Sequence, residues 1–185
     1  MNKIPNHTAL KEWASVIEAL GRGDQVVLIR KGGLADQNFS LEAERFYLFP
    51  TNYHDAGGEL ALSEAEGPAH VRITHWAEAV MAKWQIRDVK TLQRLETLTI
   101  LDREVIETRY RFRPDQALNI IAVRAYRLAK PVDVVMKPEY AGCKSWVSVD
   151  EEIDIDGSVP ALSDDELRSR LIAILTRVFH VRAWN

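Results

Sequence analysis

The chain has 185 residues, a formal net charge of −3, and 46% hydrophobic against 28% charged residues. This is the composition of one globular domain long enough to bury a core; it excludes a disordered chain and a uniformly basic coat for nucleic acid. A single cysteine excludes an intrachain disulfide and a cysteine-rich zinc site.

The opening residues, MNKIPNHTALKEWASV, contain no apolar core of signal-peptide type. No run approaches the roughly 18 apolar residues that span a bilayer, so a cytoplasmic protein without a membrane partner is expected. Thr8 stands where an N-cap would, and Leu10, Trp13, Ala14, Ile17 and Leu20 fall at helical spacing before Gly21 and Gly23. The pattern predicts an amphipathic helix over about 9–20. QVVLIR, 25–30, is short, apolar and β-branched, and predicts a buried strand; KGGL follows as a glycine turn. RFYLFP, 45–50, predicts a second strand stopped by Pro50. Residues 52–68 are rich in glycine and small polar residues and predict a loop.

AHVRIT, 69–74, predicts a strand. Thr74 would then cap a helix, HWAEAVMAKWQI, with Trp76, Val80 and Trp84 on one face. Asp88 would cap a short helix, VKTLQRL. Residues 95–112 predict a hairpin, in whose second arm Ile106, Thr108, Tyr110 and Phe112 alternate with Glu107, Arg109 and Arg111. ALNIIAVRAYRL, 117–128, predicts a central strand and SWVSV, 145–149, another. Residues 150–166 carry eight acids and no lysine or arginine, the composition of a linker. Ser163 and Glu166 form a capping box ahead of a final helix with Leu167, Leu171, Ile174, Leu175 and Val178 on one face. These elements predict a single α+β domain: a core over 1–149 with a central, mostly antiparallel sheet or small barrel, an acidic linker over 150–163, and a C-terminal helix over 164–185, so that helices stand at both termini.

No phosphate loop, dinucleotide fingerprint, zincin motif or nucleophile elbow is present. His7, His54, His70, His75 and His180 are scattered without metal-ligand spacing, and no metal or cofactor is expected. Three stretches could bind a ligand. In IRKGGL, Arg30 and Lys31 stand beside Gly32 and Gly33, where backbone NH groups could form an anion nest; the bland alternative is a tight turn with solvated charges. In FYLFPTNYHD, Thr51 and His54 sit on the loop leaving a strand, and His54 could act as an acid or base near neutrality; otherwise Phe46 and Phe49 are simply core. In EYAGCKSWV, Gly142 shapes the backbone, Lys144 supplies a cation, and Tyr140 and Trp146 supply flat faces. The alternative there is a turn feeding a strand, with Cys143 as core filler. From Arg103 to Lys130, seven cations face three acids, which gives a local positive excess; Arg109 and Arg111 on one strand face could track phosphates, or could guard a sheet edge.

LIRKGGL, RFYLFPTNYH, ALNIIAVRAYRL and EYAGCKSWV, after an initial ALKEW, together resemble a bacterial family of domains of unknown function, the one numbered eighteen hundred and two. The resemblance runs from about Ala9 to Val149. It supplies no catalytic residue. It implies an association with Mrr-type restriction endonuclease domains, and hence a restriction-system partner and a role near DNA. Small β-barrel readers of nucleic acid, of the PUA or ASCH kind, use similar parts, which is an analogy of architecture. The expected function is a module binding DNA, RNA or a nucleotide-like anion. One alternative is a hydrolase or nuclease component with His54 or Glu139 as acid or base and Lys144 stabilising negative charge. Another is a structural protein that forms a homodimer through the C-terminal helix, where VFHVRAW leaves Phe179, Val181 and Trp184 near the end.

Overall fold

The computed structural model describes residues 2–31, 39–51, 69–81 and 84–179. In chain order these form β1 (Thr8–Trp13), α1 (Ala14–Arg22), β2 (Val27–Arg30), β3 (Arg45–Thr51), β4 (His70–Ala79), β5 (Trp84–Ile86), α2 (Val89–Leu95), α3 (Arg103–Arg111), β6 (Leu118–Val135), β7 (Trp146–Ser148), β8 (Val159–Pro160) and α4 (Asp164–Phe179). The strands make one sheet in the order β2-β6-β4-β3-β1-β7, with β5 and β8 also paired to β6. Only β1 and β3 run parallel; every other pair is antiparallel. The fold is a mixed α+β domain with a mostly antiparallel sheet, as the composition and strand count predict. Among the described residues no helix is long and apolar enough to cross a membrane.

The alternation of side chains along each strand divides the interior in two. On β3, Phe46 and Leu48 enter a core closed by Ile17 and Leu20 of α1, Leu95 of α2, Ile106 of α3 and Ile174 of α4. Tyr47 and Phe49 enter a second core with Ile4, Ile73, Trp76, Tyr140, Ile153 and Ile155. The long strand β6 holds the two halves together. Its first six residues are all buried, which explains why this stretch reads as a continuous apolar run.

Several expected elements change type. Residues 8–13 are a strand, paired with β3 on one side and β7 on the other. Pairing on both edges outweighs the helical spacing of Leu10, Trp13 and Ile17, and the helix starts only at Ala14. Thr8 caps nothing; its hydroxyl donates to the Pro5 carbonyl at 3.3 Å. Gly23, at φ 74°, ends α1 in the left-handed conformation that glycine takes without strain. Pro50 does not stop β3, which runs on to Thr51. The expected helix at 75–86 is instead strand β4 followed by β5; Trp76 and Ala77 enter opposite cores, so the four-residue spacing of Trp76, Val80 and Trp84 was coincidental. The expected hairpin arm at 105–112 is helix α3, in which Glu107 and Arg111 pair across one turn at 2.8 Å.

The caps read from sequence are present. Asp88 accepts from the Thr91 amide at 2.8 Å. Ser163 and Glu166 exchange bonds at 2.9 and 3.4 Å. The acidic stretch after Val149 lies against the sheet: Ile153 and Ile155 are buried, and the Tyr47 hydroxyl accepts from the Ile4 amide at 3.1 Å while donating to the Ile153 carbonyl at 2.7 Å. Residues 32–38, 52–68 and 180–185 lie outside the described residues, and with them Gly32, Gly33, His54, Val181 and Trp184.

His75 stands at the register break of β4, half-buried, with Nδ1 2.8 Å from the Thr74 hydroxyl. Burial, helped by Arg127, holds its pKa below the ordinary 6.5. The folded chain therefore resists protonation that the unfolded chain accepts. Stability from this group is present above the ordinary histidine range and is lost as pH falls through the lowered folded value. Urea midpoints should fall over that window in the wild type and fall less in His75→Asn.

Candidate anion-binding site

The sheet brings the C-terminal end of β1 beside the ends of β2, β3 and the turn before β7. The parallel register sets Trp13 opposite Thr51. The antiparallel register sets Leu10 opposite Trp146. Strand alternation then puts Glu12 on the same face as Leu10, which enters the core with α1, and Lys11 on the opposite face.

Glu12 is the centre of this region. It is 1% exposed, and a buried carboxylate needs partners. Arg30, the last residue of β2, meets one carboxylate oxygen at 3.1 Å. The other oxygen accepts from the Trp13 amide at 2.9 Å and lies 3.9 Å from Arg109 of α3. Thr51 donates its hydroxyl to the Glu12 carbonyl at 3.1 Å. Arg109 also donates to the Ile29 carbonyl at 2.8 Å and stacks on Trp13, 4.5 Å from the ring centre. Burial lowers the Arg109 pKa, Glu12 opposes that, and Arg30 adds to it.

Lys11 joins the third stretch to the first. Its ammonium donates to the Tyr140 carbonyl at 2.7 Å and the Gly142 carbonyl at 2.6 Å. Burial lowers its pKa; Cys143 works against this, and Arg30 and Lys144 add to it. Arg30 and Lys144 are thus both within electrostatic reach of one ammonium. Gly142 sits at φ 75°, and a Cβ there would meet nothing within 4 Å, so glycine serves the turn's backbone and not a close packing contact.

Aromatic rings wall the cluster. Arg30 lies 5.7 Å above Phe39, and Phe39 stacks on Trp146 at 6.0 Å. Phe46 meets Trp146 edge-on at 5.2 Å, and the indole NH donates to the Ser40 carbonyl at 2.9 Å.

Arg30, Thr51, Gly142, Lys144 and Trp146 of the sequence candidates therefore gather at one edge. Lys31, the residue after β2, does not join Arg30 at Glu12: it is buried, and its ammonium reaches the Tyr110 carbonyl on α3. Tyr140 offers no open face. It is 1% exposed, packed against Phe49, and its hydroxyl accepts from the Asp150 amide. Cys143 is exposed, not core filler. Glu139 is exposed and is among the charges acting on Lys137. Arg109 and Arg111 do not share a face: the first turns into the cluster and the second pairs with Glu107 at the surface.

Sequence reasoning missed Lys11, Glu12, Trp13 and Phe39. Lys11 and Glu12 fall inside the stretch, about 9–20, whose spacing predicts a helix. The available signal was an acid two residues past the buried Leu10, on a strand that has neighbours at both edges.

Residues 9–172 match the family model described as "Domain of unknown function (DUF1802)", and the chain belongs to that family. No curated protein matches it. Among solved structures, it is similar to a serine-to-alanine mutant of ZmASCH from Zymomonas mobilis, at 14% identity over 92% of this chain and 99% of that one, with a TM-score of 0.48. A tyrosine-to-phenylalanine mutant of the same protein matches at 15% identity over 90% and 96%, with a TM-score of 0.47.

Proposed function

We propose that the edge formed by Lys11, Arg30, Arg109 and Lys144 binds nucleic acid or a nucleotide-like anion. The observation that carries this reading is a charge imbalance. Arg30 acts on both Lys11 and Arg109, and Lys144 acts on Lys11, while the carboxylate shared by Arg30 and Arg109 is Glu12 alone among the described residues. Like charges held together in a partly desolvated cluster cost free energy, which an incoming anion would offset. Guanidinium groups pinned by Glu12 and by the Ile29 carbonyl are preorganised for phosphate, and so lose little entropy on binding. The half-buried Trp13 and Trp146 add flat surface of the kind on which bases stack. The restriction setting implied by the sequence resemblance would make DNA the polymer.

The test is fluorescence anisotropy of labelled DNA and RNA oligonucleotides across a salt series. Lys144 is exposed, so Lys144→Ala leaves the fold intact. Binding should weaken linearly with log salt, and the slope should shrink by about 0.7–0.9 in the mutant if Lys144 meets one phosphate. Absence of binding at low salt refutes the reading.

A further inference from the structure

Resting on that reading, we infer that the site takes an unpaired strand and discriminates against duplex. Three of the four cations do not project: the Arg30 and Arg109 side chains are 14% and 19% exposed. The Lys11 ammonium is engaged with two carbonyls of the neighbouring turn. A duplex carries its phosphates on the outside of a stiff rod, so it meets cations that project, and of these four Lys144 is the exposed one. A single strand bends, so its phosphates can approach side chains that do not project, one at a time.

The flat groups point the same way. The site sets charge beside ring: Arg109 on Trp13 at 4.5 Å and Arg30 on Phe39 at 5.7 Å, with Phe39 in turn on Trp146 at 6.0 Å. Trp13 and Trp146 are each partly exposed. An unpaired nucleotide presents a phosphate and an uncovered base face side by side, and guanidinium and indole planes both accept such a face. In a duplex the base faces are already covered by their neighbours, so only the phosphate half of the site would be used.

The experiment is a competition on the intact chain. Oligonucleotides of one sequence, as a single strand and as a blunt duplex, displace a labelled single strand at equal phosphate concentration, with tryptophan emission recorded in parallel. The single strand should compete at least tenfold better and quench tryptophan emission where duplex does not. Lys144→Ala should lower single-strand affinity severalfold. Equal or better competition by duplex, with both forms weakened by Lys144→Ala, overturns the inference while leaving the anion site standing. Failure of both forms to bind removes the inference together with the site.

Discussion

Glu12→Gln should lower the unfolding free energy by about 3 kcal/mol, while raising affinity for phosphate-bearing ligands. The substitution keeps the side chain's shape and removes its charge. Arg30 and Arg109 are then left facing each other from a largely buried position without their shared counterion. Removing one partner of a buried ion pair typically costs about 3–5 kcal/mol, because the remaining charge is uncompensated; the partial exposure of both arginines places this case at the lower end. Urea unfolding in a buffer free of phosphate and sulfate measures the loss, and adding inorganic phosphate should restore part of it through binding to the folded state. Arg30→Met should cost less in the Glu12→Gln background than alone, since that background has already lost the pair. Full stability of Glu12→Gln would mean that the cluster is well solvated and not strained by its charges.

Gly21→Ala should destabilise the fold by about 1–3 kcal/mol, against the usual trend. In a helix, glycine to alanine ordinarily gains up to about 1 kcal/mol. Here a Cβ on Gly21 would stand 2.4 Å from Nε2 of His75 and 2.8 Å from Cε1. The imidazole is held at its other nitrogen beside the Thr74 hydroxyl, so the ring must leave its place, and overpacking of this kind costs about 1–3 kcal/mol. The sign should reverse in His75→Ala, where the added methyl meets space and only the helix propensity remains. Thermal or urea unfolding of the four proteins closes the cycle. A destabilising Gly21→Ala in both backgrounds would show that another contact is responsible.

What was legible in the sequence were the features fixed locally. The Asp88 cap, the Ser163–Glu166 box, the buried β6 run and the α4 stripe each depend on neighbours a few residues away. The elements misread were those fixed by pairing at a distance. Residues 8–13 are a strand because β3 and β7 flank them, and residues 103–111 are a helix because Ile106 reaches the core while Arg109 reaches Glu12 on β1. The site followed the same division. Arg30, Thr51, Lys144 and Trp146 were visible as charged or flat residues at strand ends. Glu12 and Lys11 were hidden by the helical misreading, and Tyr140 looked like a ligand face because no local pattern shows that Phe49 covers it.

The measurement that bears most directly on the anion site is amide hydrogen exchange with and without a short single-stranded oligonucleotide at low salt. The account predicts added protection concentrated in peptides covering residues 9–14, 28–31 and 141–147, with Arg109 in the same set. Protection confined to the exposed Arg127 and Lys130 region of β6, or no protection despite measured binding, would contradict it.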